Sequence, residues 1–372
     1  MTSQEFRANA IKLIDDLKGV CANYGLGNDG NEFKIITQVF LYKFLNDKFA
    51  HEIKRIEPAL ADVESWEDAL SEKSDDDYEL LMGQLGGSTA RLQPEHFLSA
   101  LWQQQNDDNF AKLLDDTLKD IAARNADIFS VMTHDGQKIV LFDEVTQYVS
   151  SKRDEFAKAI VNKLIDFSFE QIFAEKFDFY ATLFEYLIKD YNKDGGGKYA
   201  EYYTPHAVAK IMAACLVPKE VKNVTCYDPA AGTGQLLMNL AHTIGEEKCT
   251  LYTEDISQKS SQLLRLNLIL NGLVHSIPNV IQGNTILDPY HKADSGGKLR
   301  KFDYIVSNPP FKLDFSDFRD QLDTKANQER FFAGIPNVPP KSKEKMAIYL
   351  LFLHTLNPQR TELKQFFVFR FL

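Results

Sequence analysis

Between Gln4 and about Asp166, apolar residues recur every three or four positions, the period of helices with one buried face. Phe6, Ala10, Ile11, Leu13, Ile14 and Leu17 predict a first helix that ends near Gly19, and Gly25, Gly27 and Gly30 predict a loop after it. A second helix is predicted over Phe33–Phe49, with Ile36, Val39, Phe40, Phe44 and Leu45 on one face. Helical patterns continue through Pro94–Leu101, Phe110–Ile121, Phe156–Phe167 and Asp178–Tyr191. Ile139-Val140-Leu141-Phe142 is too short an apolar run to assign as helix or strand. The acidic stretch Asp62–Glu79, centred on Asp75-Asp76-Asp77, reads as a solvated segment or the polar face of a helix.

After a loop at Gly195-Gly196-Gly197 the pattern changes. Short apolar runs at Val224–Asp228, Cys249–Asp255, Asn279–Gln282 and Asp303–Ser307 read as strands, and Gln235–Thr243 and Ser257–Leu270 read as helices between them. Gly272 would cap the second of these helices. Alternating strands and helices predict a parallel sheet joined by right-handed crossovers. The expected fold is therefore α/β, with a Rossmann-like domain over 166–372 preceded by a mainly helical domain over 1–165. Each strand ends at or just before a polar residue: Asp228, Asp255, Asn284 and Asn308. In open α/β sheets ligands gather at that carboxyl edge.

Two of these strand ends hold specific chemistry. After the fourth strand comes Asn308-Pro309-Pro310-Phe311. The prolines cannot continue a ladder, so the Asn308 amide and the neighbouring carbonyls project past the strand end. An exocyclic amine on a purine is a poor nucleophile because its lone pair is delocalised into the ring. Two acceptors, the Asn308 side-chain oxygen and the Pro309 carbonyl, would draw such an amine towards a pyramidal, reactive geometry, while Phe311 stacked on the base. The first strand runs into Asp228-Pro229-Ala230-Ala231-Gly232-Thr233-Gly234. Gly232 and Gly234 admit close approach of a ligand to backbone. The dinucleotide fingerprint G-x-G-x-x-G is only half met, since position 237 is Leu. That departure suits S-adenosylmethionine, which has no pyrophosphate to cradle.

In these motifs the chain resembles adenine-N6 DNA methyltransferases, and in particular the modification subunits of type I restriction–modification systems. The resemblance implies S-adenosylmethionine as cofactor, held at Asp228, Ala230, Gly232 and Gly234. It places ribose contacts on Asp255, with Glu254 as the lesser candidate, and adenine contacts on Ile256 and Asn284. Tyr203-Thr204-Pro205 matches the family's motif ahead of the sheet and adds three cofactor-binding positions. A competing reading is local, with Thr204 as N-cap and Pro205 in the first turn of the next helix. Catalysis falls to Asn308, Pro309, Pro310 and Phe311, acting on an adenine turned out of the duplex. Implied partners are double-stranded DNA, a specificity subunit and a restriction subunit. The helical half, notably Phe40-Leu41-Tyr42-Lys43-Phe44-Leu45 after its glycine loop, resembles the family's N-terminal domain, a DNA clamp; packing or assembly is the alternative.

Composition narrows the setting. The 372 residues are 44% hydrophobic and 26% charged, in the range of globular proteins, and no run approaches the roughly 20 apolar residues of a membrane span. Four scattered cysteines and the absence of a basic, apolar leader predict a cytoplasmic protein with reduced thiols and no metal site. A net charge of −11 argues against a self-sufficient DNA binder, so part of the DNA grip is expected from a partner. Arg319, Arg330, Lys341, Lys343 and Lys345 could face phosphates or simply be solvated, and Met346–Leu356 reads as a buried helix. After Asn357-Pro358 the family's glycine turn and proline-marked loop are missing, which leads us to expect a truncated or frame-shifted tail. Two rival functions follow: a protein-glutamine methyltransferase, which also uses Asn-Pro-Pro-aromatic, and an assembly subunit without turnover.

Overall fold

A computed structural model of the chain describes residues 3–27, 30–170, 173, 186, 204–293, 299–309, 318–322 and 364–367. The helix predicted at Asp178–Tyr191, except Tyr186, the loop Gly195–Gly197 and the helix predicted at Met346–Leu356 lie outside them, as does most of Lys312–Lys345. Two compact units divide the chain: Met1–Ser130 with Val140–Ala200, and Val131–Ile139 with Glu201–Leu372.

The first unit is mainly helical. Its first helix, Ser3–Asn23, runs past Gly19 and buries Val20 and Cys21 as well as Phe6, Ala10 and Leu17. A glycine inside a helix costs about 1 kcal/mol relative to alanine, less than burying the two side chains beyond it returns. The second helix, Gly30–Ile56, is buried on more than the one predicted face. Lys43, Asn46 and Asp47 are buried with Phe40 and Phe44 because each polar group has a partner. Lys43 Nζ lies 3.0 Å from Asp47 Oδ1, Asn46 Oδ1 accepts from Leu98 N at 3.0 Å, and Asp47 Oδ2 accepts from Phe169 N at 2.7 Å. The acidic stretch forms two short helices, Trp66–Ser71 and Asp75–Met82, capped by the Ser65 and Ser74 side chains. Asp75, Asp76 and Asp77 fill the first turn of the second, where negative charge meets the positive end of the helix dipole.

Among the described residues the second unit is built on a seven-stranded sheet. Its strands are β1 (Val131–Thr133), β2 (Lys138–Ile139), β3 (Val224–Asp228), β4 (Cys249–Asp255), β5 (Val280–Gln282), β6 (Tyr304–Ser307) and β7 (Lys364–Phe367). Their order is β2-β1-β5-β4-β3-β6-β7. The four predicted strands, β3 to β6, are all present and parallel, with Cys226 level with both Leu251 and Tyr304. The sequence pattern missed the hairpin β1–β2, whose first strand pairs parallel with β5 at Met132–Ile281 and Thr133–Gln282. Only Ile139 of the unassigned apolar run belongs to it, while Leu141 and Phe142 are buried in the helical unit. In the tail, Lys364–Phe367 pairs parallel with β6 and forms the other edge.

The chain leaves β3 on one side, through β4 to β5, and returns to β6 on the other. The strand order therefore reverses between β3 and β6, the point where open α/β sheets bind ligands. Helix Gln235–Ile244 packs on β3, β4 and β6 and against helix His206–Leu216, burying Leu236, Leu237 and Leu240. Helix Gln258–Leu270 packs on β4 and β5; Ser257 caps its start, and Gly272 closes its end as predicted, with a φ of +72° just past Asn271, while Gly272 N donates to the Ile269 carbonyl at 3.3 Å and Leu273 N to the Leu268 carbonyl at 2.9 Å. Among the described residues no helix is long and apolar enough to cross a membrane.

Candidate active site

The turn after β3 is held by its neighbours. Ala230 N donates to Asp228 Oδ1 at 3.0 Å, Ala231 N to the Glu254 carbonyl at 3.1 Å and Gly234 N to the Ala231 carbonyl at 2.8 Å. Gly232 N donates to Asp255 Oδ2 at 2.8 Å, so the ends of β3 and β4 are joined through one carboxylate. Both glycines have positive φ, +53° and +82°. A side chain on Gly234 would stand 2.1 Å from Leu264 Cδ1, whereas one on Gly232 would meet none of the described residues within 4 Å. Gly234 is thus required by packing, and Gly232 opens the space above the turn. Asn267 Nδ2 donates to the Thr233 carbonyl at 3.0 Å and Thr285 Oγ1 to the Pro229 carbonyl at 2.8 Å. Each side chain acts on backbone far away in the chain, 34 residues for Asn267 and 56 for Thr285.

Asp228 is buried at the end of β3. Burial pushes its carboxyl up to about 7; the Ala230 N–H and the Ser307 hydroxyl pull it down, and the Asp255 charge raises it. Asp255 also accepts from Ser257 N at 2.9 Å through Oδ1. Ile256, beside it, is 67% exposed, an apolar side chain available to a flat ligand. Glu254 points to the other face, as the period of two in a strand requires. It is fully buried, accepts from Tyr227 Oη at 2.9 Å and Tyr290 N at 3.1 Å, and burial raises its pKa. This is the role of a structural tie rather than a ribose contact. Asn284 Oδ1 accepts from Ile286 N at 3.1 Å and Leu287 N at 3.2 Å, closing the turn after β5.

Asn308 follows β6 directly, as Pro229 follows β3 beside it. Its Nδ2 donates to Thr204 Oγ1 at 3.0 Å, and its buried Oδ1 has no hydrogen-bond partner among the described residues. The local capping reading of Thr204 is thereby corrected. Pro205 occupies the N-cap of helix His206–Leu216 without any side-chain cap, and the Thr204 hydroxyl instead holds the Asn308 amide. Gln235 Nε2 lies 3.0 Å from His206 Nδ1, which ties this helix to the one that follows the glycine turn. Thr204, Asp228 and Asn308 thus converge at the switch point, while Asp255, Ile256 and Asn284 line the rim towards β5. Pro309 is buried next to Asn308; Pro310, Phe311 and Tyr203 lie outside the described residues.

A sheet with its glycine turn at the first strand end and a polar amide at the adjacent one is the architecture of a Rossmann-like methyltransferase. The crystal structure of the type I restriction-modification system methyltransferase subunit from Streptococcus thermophilus shares this fold, with a TM-score of 0.69 at 20% identity over 96% of this chain and 72% of that one. The profile of the N-6 DNA Methylase family matches residues 175–361, just over half of the chain, and the chain belongs to that family. Among curated relatives, the type I restriction enzyme MpnII methylase subunit of Mycoplasma pneumoniae is 25% identical over 217 residues, 56% of this chain and 39% of that one. The EcoEI methylase subunit of Escherichia coli is 30% identical over 183 residues, 46% of this chain and 34% of that one. The chain thus spans less than half the length of these relatives.

Proposed function

We propose that the chain is the modification subunit of a type I restriction–modification complex and methylates adenine N6 in DNA, in the cytoplasm. The observation that supports this best is the Asn308 amide. Its nitrogen is fixed by Thr204, which turns Oδ1, unpartnered among the described residues, into a ready acceptor. Asn308 Oδ1 and the Pro309 carbonyl would each accept one N–H of the target amine and draw its lone pair out of conjugation with the ring. Little else is asked of the protein, since holding donor and amine in line removes most of the entropic barrier.

The residues present fit S-adenosylmethionine. Gly232 leaves open space over the turn, Ile256 offers an apolar surface, and a buried carboxyl raised to about 7 regains its charge beside an approaching cation. When bound, S-adenosylmethionine supplies an electrophilic methyl group on a sulfonium. Asp228 would face its charged end, the Gly232–Gly234 backbone its middle, and Asp255, Ile256 and Asn284 its nucleoside. The target adenine must leave the duplex to reach Asn308. DNA sequence choice would lie with a specificity subunit and cleavage with a restriction subunit.

Transfer of an isotope-labelled methyl group tests the reading. With added specificity subunit and hemimethylated DNA, label is expected at adenine N6. Label in protein would favour a glutamine methyltransferase, and cofactor binding with no label anywhere would favour an assembly role.

A further inference from the structure

The hairpin β1–β2 belongs to the sheet unit, although the residues on either side of it, Ser130 and Val140, belong to the helical unit. Because β1 runs parallel to β5, its turn arrives at the carboxyl rim, next to the end of β5. There His134 N donates to the Gln282 carbonyl at 2.9 Å. A side chain on Gly283 would stand 3.0 Å from His134 Cβ and 3.4 Å from its Cδ2, a tight fit that would push His134 back by a few tenths of an ångström. The His134 Nε2 lies 3.1 Å from Asp288 Oδ2, and the ring meets Tyr290 edge-on at 5.7 Å. Asp288 also has Lys292 Nζ at 3.4 Å.

These contacts grip one loop at both ends. Gly283 N donates to the Asp255 carbonyl at 2.9 Å, and Asp288 N donates to the Asn284 carbonyl at 3.0 Å. Between them Asn284 Oδ1 holds the amides of Ile286 and Leu287. The hairpin turn itself is closed without the imidazole: Gln137 N donates to Thr133 Oγ1 at 2.9 Å and Gly136 N to the Thr133 carbonyl at 3.0 Å. The base of the hairpin is anchored separately, by buried Arg265 Nη1 donating to the Ile139 carbonyl at 2.9 Å. The His134 side chain is thus surplus to the hairpin and is directed to the loop beyond β5.

We infer that His134 is a positioning residue for the nucleoside side of the cofactor cleft. It holds the Gly283–Tyr290 loop in the shape Asn284 needs, and so makes a residue from within the helical stretch of sequence a determinant of S-adenosylmethionine affinity. This rests on the cofactor reading of the site given above.

The test uses the full chain and S-adenosylhomocysteine as probe, with binding followed by calorimetry and loop order by amide hydrogen exchange in the ligand-free protein. His134→Ala is expected to weaken binding about fivefold, the scale of one partly exposed hydrogen bond, and to speed exchange at Ile286 and Leu287. His134→Gln, which can still reach Asp288, is expected to restore affinity to within about twofold of wild type. The unfolding midpoint of His134→Ala should match that of wild type. Wild-type binding with unchanged affinity and exchange in His134→Ala would overturn this inference alone. Equal losses in both variants with a lowered midpoint would also overturn it, by showing a merely structural role. Absence of binding to the wild type would overturn the cofactor reading and this inference together.

Discussion

Asp228 is a buried carboxyl with a raised pKa, a cost to the fold that the proposed cofactor contact would explain. Its folded pKa of about 7 stands above the unfolded value near 4. Between those pH values the folded chain retains a proton that the unfolded chain has released. This site's contribution therefore turns against the fold as pH rises through that window, and the full penalty stands above it. Asp228→Asn should remove the penalty. We predict a variant more stable than wild type by on the order of 2 kcal/mol at pH 8, with the gain vanishing near pH 4, and with binding of S-adenosylmethionine impaired. Chemical denaturation at the two pH values checks the first statement and calorimetry the second. Asn308→Ala should behave oppositely, binding cofactor normally while methyl transfer falls roughly 100-fold or more, the scale set by losing one positioned stabilising contact. Much of this site was legible in the sequence because Asp228, Asp255 and Asn308 each follow directly from a run of strand formers. The use of Thr204 was not, since a threonine before Pro205 satisfies local capping rules equally well and its true partner is 104 residues away.

At the scale of elements, the glycine turn is the most constrained junction. Gly234 combines a φ of +82° with the Leu264 side chain against its Cα, and Leu264 is itself fully buried in helix Gln258–Leu270. Gly234→Ala should destabilise the sheet unit by roughly 2–4 kcal/mol, from the left-handed backbone and the overlap together. Trimming Leu264 to Ala in the same chain should recover part of the loss beyond the sum of the two single changes, a non-additivity that thermal unfolding would reveal. Substitution at Gly232, where only the positive φ of +53° strains a side chain, should cost less stability, roughly 1–2 kcal/mol, and act on ligand binding as well. Central strands and their helices were readable because apolar runs, turn glycines and caps agree locally. The hairpin was not. Its strands are three and two residues long, too short to show a period, and what defines β1 is pairing with β5 about 150 positions later. The tail strand was masked in the same way, by the absence of the turn residues that usually announce one.

For the whole molecule, the reversal of strand order between β3 and β6 sets where the proposed site lies. It sets the Asp228 and Asn308 ends side by side, and everything assigned to the site follows from that adjacency. The net charge of −11 sets a second property. Phosphate contacts dominate DNA affinity, so at about 0.15 M salt the chain alone should bind duplex DNA no more tightly than the non-specific range, roughly 10⁻⁴–10⁻⁶ M. Adding the specificity subunit should tighten binding and steepen its salt dependence, and fluorescence anisotropy over a salt series would check both. The most direct measurement is the distance from adenine N6 to Asn308 Oδ1 in a crystal of the chain with S-adenosylhomocysteine, specificity subunit and target DNA. The account predicts about 2.7–3.2 Å, with the sulfur of the nucleoside beside the Gly232–Gly234 turn. An adenine whose N6 is held by other groups, or a nucleoside bound away from that turn, would contradict it.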